Sequence, residues 1–187
     1  MTADRDIRKV VRNIISDIRV ELTEEFDKNF ERQAFFNEKW QRRKSPVRDG
    51  GAILTDTGML RKSIFSRMSE DGIAFFTTLP YAEMHNEGGE IKVTARMKGY
   101  FWHKYMNAAG ALVFARRKDG TLRRDKGTRH ISEVAEFWKL MALMKEGSSI
   151  RIPRRRFLGA SPEVEKAVRG IIEENLTEYF EHEYRLK

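Results

Sequence analysis

Residues 2–36 read TADRDIRKVVRNIISDIRVELTEEFDKNFERQAFF, and their spacing decides the fold. Ile7, Val11, Ile14, Ile18, Leu22, Phe26 and Phe30 follow one another at steps of three or four. That is the stripe of an α-helix with one buried face. Arg8, Arg12, Asp17, Arg19, Glu24, Glu25 and Lys28 occupy the other faces. No glycine or proline interrupts the run before Pro46. The spacing predicts one long helix from about Thr2 to Phe36, with Thr2 or Asp4 as its cap.

A second long helix is expected at the other end. Ser161-Pro162-Glu163 combines a serine cap, proline at the first helical position and an acid in the first turn. Val164, Val168, Ile171, Ile172, Leu176, Tyr179 and Phe180 supply its apolar stripe.

Strands are expected between the helices. Trp40 to Gly58 breaks the helical pattern, with Asp49-Gly50-Gly51 as turn chemistry. Thr57 can cap a short helical turn carrying Met59 and Leu60. Ile64–Met68 and Ile73–Leu79 flank an Asp71-Gly72 pair, which predicts a hairpin. Tyr81 to Gly89 reads as one helical turn closed by glycine, and Ile91–Thr94 as a further strand.

Residues 95–149 read as an insertion. Tyr100, Phe101, Trp102, Tyr105 and Met106 lie at helical spacing. Ala111–Ala115 reads as a strand and Arg116–Gly127 as a mobile basic tip. A helix beginning at Ser132 carries Val134, Phe137, Trp138, Leu140, Met141 and Met144, and Gly147 stops it. Ile150–Pro153 is extended, and Arg154–Gly159 is a loop. The sum is a single α+β domain, residues 1–187, with two long helices packed on a small antiparallel sheet and a helical basic insertion.

Composition narrows the function. The chain has 187 residues, 34% of them charged, against a usual share of about a quarter. The core is therefore small and much of the surface is solvated or awaits a partner. With no cysteine, disulfides and thiolate metal sites are excluded. Met1 to Arg12 is charged and lacks an apolar h-region, and no apolar run approaches the ~20 residues of a membrane span. No signal peptide, no membrane contact and a cytoplasmic site of synthesis are expected.

Three phrases recur together in one known family. They are Leu54-Thr55-Asp56-Thr57-Gly58-Met59-Leu60-Arg61-Lys62-Ser63-Ile64, Pro80-Tyr81-Ala82-Glu83-Met84-His85-Asn86-Glu87-Gly88-Gly89, and Ile152-Pro153-Arg154-Arg155-Arg156-Phe157-Leu158-Gly159 running into a helix. In this order they resemble the phage virion morphogenesis, or tail completion, proteins of tailed phages and prophages. The resemblance covers 35–90 and 151–180. It departs at Arg156, where the family often has proline, and is weak over 95–149. It implies a structural protein that completes the tail or joins it to the head. Such proteins work as rings, often six-fold, beside neighbouring tail or connector proteins, first in the host cytoplasm and then in the virion.

The phrases themselves point to structure rather than chemistry. Gly58 and the Gly88-Gly89 pair suit tight turns with φ > 0. Tyr81 and Phe157 are expected to anchor loops onto the sheet. Arg154 and Arg156 either face solvent or meet carboxylates of a neighbouring subunit. His85 is expected to hydrogen-bond a nearby backbone group.

Catalytic and cofactor motifs are absent from the sequence. His85, His103, His130 and His182 form no metal-binding pair, and neither a phosphate loop nor a nucleophile elbow occurs. Glu173-Glu174 reads as a solvated helix face. No small-molecule substrate, metal or other cofactor is expected, and the chain is read as no enzyme. The rival reading is a nucleic-acid-binding module. Between Ile91 and His130 eleven Lys and Arg face two acids, Asp119 and Asp125. Arg116, Arg117, Lys118, Arg123, Arg124 and Lys126 are the candidate contacts with DNA or a protein partner, and Tyr100, Phe101, Trp102 and Tyr105 either stack on bases or form a small core.

Overall fold

The structure, a computed structural model, describes residues 2–48, 50–69 and 72–185. In chain order the elements are α1 (Thr2–Arg32), β1 (Ala34–Phe35), β2 (Glu38–Lys39), α2 (Met59–Lys62), β3 (Ile64–Ser69), β4 (Gly72–Thr77), α3 (Ala82–Glu87), β5 (Gly89–Lys92), α4 (Ala95–Phe114), α5 (Lys126–Leu143), β6 (Ser149–Ile152) and α6 (Pro162–Arg185). The fold is α+β, with long helices at both ends. The strands pair antiparallel as three separate two-stranded sheets, β1–β2, β3–β4 and β5–β6. The chain divides into two compact units.

The first unit comprises Met1–Trp40, Ala52–Glu87 and Arg154–Lys187. Its core is built on the α1 stripe. Leu22, Phe26 and Phe30 are buried, and Phe26 meets Phe75 of β4 edge-on at 5.1 Å. Trp40, Ile53, Leu60, Ala82 and Phe157 close around Phe30. Val164 and Val168 of α6 pack against the Leu22, Phe26 and Phe35 cluster, while Asn175 further along α6 reaches Asp17. The stripe continues beyond this core without cover: Ile7 and Val11 are each 49% exposed.

The predicted start of α6 holds, with the Ser161 hydroxyl accepting the Val164 N–H at 3.2 Å. α1 ends earlier than the stripe predicts, at Arg32 rather than Phe36. Side chains, not glycine, turn the chain there. Gln33 and Phe36 take positive φ, 54° and 50°. The Gln33 side chain bonds Ile53 through both its N–H and its carbonyl, and the Asn29 carbonyl accepts the Phe36 N–H at 2.9 Å. The cap expected from Thr2 or Asp4 rests on side chains outside those described.

The expected hairpin is present in the register Phe65↔Phe76 and Met68↔Ile73; Glu70 and Asp71 of its turn lie outside the described residues, as does Asp49 of the 49–51 turn. At α2 the cap position falls on Gly58, at φ 71°, and the Thr57 hydroxyl accepts the Met59 N–H at 3.3 Å instead of capping the turn.

The second unit comprises Gln41–Gly51 and Gly88–Pro153. β5 pairs with β6, Gly89 opposite Ile152 and Lys92 opposite Ser149. α4 and α5 then form a helical hairpin, with Phe101 stacked on Trp138 at 5.8 Å. The strand expected at 111–115 is instead the last turn of α4. Ala108, Ala109 and Ala111 favour helix strongly enough to carry the apolar run that follows. α5 starts at Lys126, six residues before Ser132, because Asp125 caps it by accepting the Thr128 N–H at 2.8 Å. The basic tip takes the form of a turn: Arg117 and Gly120 hydrogen-bond across it, and Arg123 donates back to Ala115 at 3.0 Å.

Candidate functional site

Two groups of residues carry the sequence expectations, one in each unit. In the first unit, the second and third phrases are bound together by an asparagine. The Asn86 carbonyl accepts the N–H groups of Phe157 and Leu158 at 2.9 and 3.1 Å, and its amide donates to the Leu158 carbonyl at 3.0 Å. The Arg155 N–H donates to the His85 carbonyl at 2.8 Å. From below, Asn29 of α1, fully buried, donates to the Phe157 carbonyl at 3.3 Å, and the Trp40 indole N–H donates to the Arg156 carbonyl at 2.6 Å. The loop thus replaces the sheet partners it lacks with side-chain donors and acceptors, which satisfies backbone groups that would otherwise be buried unpaired.

The first phrase joins through ions and a hydroxyl. Arg61 grips Asp27 of α1 with two N–H groups and Glu31 at 2.7 Å. The hydrogen bonds from Arg61 hold the Asp27 carboxyl below its ordinary range. Ser63 donates to the Leu60 carbonyl at 2.8 Å and shares a 2.7 Å hydrogen bond with Thr77. Leu54 stands at φ 61°, unusual for a branched side chain. It packs with Ile64 and Leu158 against the core around Phe30.

Several roles expected from the sequence change. Phe157 is an anchor, 1% exposed, but it packs on Phe30 of α1 at 5.4 Å rather than on the sheet. Tyr81 is 43% exposed, its ring edge-on to His85 at 6.1 Å; Ala82 beside it is the buried residue. Gly88 needs its glycine, at φ 74°, whereas Gly89 lies in β5 with no such requirement. The His85 ring does not bond the backbone: its Nδ1 is buried without a hydrogen-bond partner, and burial together with the nearby Arg155 charge lowers its pKa. Arg154 meets Glu87 of the same chain at 3.8 Å. Arg156 folds back, its guanidinium 4.7 Å over the Phe35 ring and donating to the Ala160 carbonyl at 2.5 Å. Gly159, at φ 134°, gives it room: a Cβ there would lie 2.8 Å from that guanidinium. Pro153 follows β6 directly and ends it.

The clamping residues Asn29, Gln33, Trp40 and Asn86 were not singled out from sequence. Asn29 left a signal, since it stands three residues after Phe26, on the buried face of α1.

In the second unit, Arg116, Arg117, Lys118, Arg123, Arg124 and Lys126 all fall at the tip of the α4–α5 hairpin. Among the described residues none of the six makes an ion pair. The two acids of the tip are engaged locally. Asp119 accepts the Thr121 N–H at 2.9 Å and its hydroxyl at 2.7 Å, and Asp125 caps α5; both carboxyls are held below their ordinary range by these bonds. Of the aromatic cluster, Phe101 is buried against Trp138, while Tyr100 and Trp102 remain 51% and 41% exposed. The small-core reading holds for the first and not for the other two.

Among the described residues no group of three or more His, Asp or Glu could hold a metal ion, and no helix is long and apolar enough to cross a membrane. Searches of curated proteins and of solved structures give no match. The model of the phage virion morphogenesis family matches residues 2–177, which takes in all three phrases, both long helices up to the last turns of α6, and the helical hairpin. By that match the chain belongs to the phage virion morphogenesis family.

Proposed function

We propose that this protein is a structural subunit that completes the phage tail or joins it to the head, acting as a ring of identical copies, six-fold where it meets a six-fold tail. Family membership supports a role in building the virion. The observation that carries self-association is the uncovered continuation of the α1 stripe. Ile7 and Val11 on α1, and Leu176 and Phe180 on α6, at 37% and 53% exposure, extend the apolar surface past the core. Exposed apolar surface of this kind is a docking surface in proteins that assemble. Residues 1–187 then act as one tail-completion domain with 95–149 inserted, made in the host cytoplasm and carried in the tail or neck beside connector proteins. The role is one of assembly, without a substrate or cofactor.

The test is genetic and visual. Phage produced without this chain should yield heads and tails that are unfinished or unjoined by electron microscopy, and supplying the chain should restore whole particles. Normal infectious particles in its absence would end this reading. Light scattering of the purified protein should show a defined oligomer that Ile7→Asp with Phe180→Asp disperses.

A further inference from the structure

We infer that the tip of the α4–α5 hairpin is a contact surface for duplex DNA, gripping its phosphates without reading its sequence. The inference rests on charge placement and does not depend on the assembly role. The second unit holds 18 of the chain's 36 Lys and Arg but only 7 of its 28 Asp and Glu, a net +11; the first unit holds the remaining 18 and 21, a net −3. Assembly of identical copies leaves a net +8 per copy unbalanced. A partner of dense negative charge complements the tip. Duplex DNA carries one charge per ~1.7 Å of its axis, denser than an acidic polypeptide.

The local geometry fits that partner. The turn uses its own backbone groups internally, Arg117 with Thr121 and Gly120 with Arg117. Side-chain cations are therefore what it presents. Arg116 braces the turn by donating to the Gly120 carbonyl at 2.7 Å. Arg117, Lys118, Arg123 and Arg124 are exposed and form no ion pair among the described residues, though Arg123 lies near enough to Asp125 to help hold its carboxyl charged, and Arg129 adds a further charge one turn into α5. Phe114, 85% exposed, stands beside them as the apolar contact that lies against sugars or a base step. Lysines and arginines that contact phosphate fix position and carry no sequence information.

The experiment is a salt titration of binding to a fluorescent duplex of random sequence, using the full chain. Binding should fall steeply with salt, log K against log salt losing about 0.9 in slope for each phosphate contact. The variant R117Q/K118Q/R123Q/R124Q should lose about 3 to 4 from that slope. Four cations removed from the first unit, K39Q/K62Q/K166Q/R169Q, change the net charge equally and should lose less than about 1. Circular dichroism confirms that both variants keep their helices. Absence of salt-sensitive binding, or equal losses in the two variants, would overturn the inference. So would displacement of the duplex by polyglutamate as readily as by unlabelled DNA, which would make the tip a dock for acidic protein. Tighter co-sedimentation with anionic vesicles would overturn it in favour of a lipid surface.

Discussion

The two units of this chain are stabilised in different ways. The first is held by contacts remote in sequence: Asn29 and Trp40 with the 156–157 backbone, Asn86 with 157–158, Arg61 with Asp27. The second is mainly a helical hairpin above the β5–β6 ladder, joined by ring packing and backbone pairing rather than by side chains bonded to a loop, and each helix has its own cap. The difference teaches where damage should spread. A lost polar side chain in the first unit removes the partner of a distant loop; a lost cap in the second frays one helix.

The largest expected effect is at Phe157. Phe157→Ala should cost the first unit about 3–5 kcal/mol, read by urea denaturation, through the cavity left under Phe30. Hydrogen exchange sharpens the comparison: protection should fall across α1 and α6 and persist in α4 and α5. Equal loss in both units would show that they unfold as one. Next comes Asn86→Ala, which strands the N–H groups of Phe157 and Leu158. It should cost about 1–3 kcal/mol, and Asn86→Asp should recover the acceptor half of the clamp. Gly159→Ala should cost a similar or smaller amount, about 1–3 kcal/mol, since it strains φ and pushes the Arg156 guanidinium off Phe35.

Acid should act more weakly and on the first unit. The folded Asp27 carboxyl titrates below its unfolded value of about 3.9. Its contribution is present above that value and is lost as pH falls through the folded pKa. The pair is partly exposed, so the loss should stay within about 1 kcal/mol and shrink with salt. His85 acts in a higher window. Its pKa is lowered on folding, so the unfolded chain binds the proton first, and stability should decline as pH drops below about 6.5 until the folded pKa is passed. His85→Gln should remove that step from a plot of urea midpoint against pH.

Much of this was legible in the sequence where the determinants are local. The α6 start is written in Ser161-Pro162-Glu163, the end of α3 in Gly88 and the hairpin in two β-prone runs around a turn. What was not legible is what distant side chains do to the backbone. Gln33 and Asn29 stop α1 four residues short of its predicted end at Phe36, and nothing local to Phe35 and Phe36 announces it. Asp125 takes the cap from Ser132 because a cap is chosen by where the hairpin turn closes. The site shows the same division. The second and third phrases fall on loops that the fold brings together, Gly58 and Gly88 take the positive φ expected of them, and Phe157 anchors its loop on α1 rather than on the sheet. The residues that bind those loops together, Asn29 and Asn86, are polar groups whose worth depends on backbone groups brought to them by the fold.

The central claim is that this chain is a part of the virion. It is tested most directly by protein mass spectrometry of gradient-purified particles, with copy number measured against the major tail protein. The account predicts a small fixed number of copies in intact particles, a multiple set by ring symmetry. Complete absence from intact, infectious particles would contradict it.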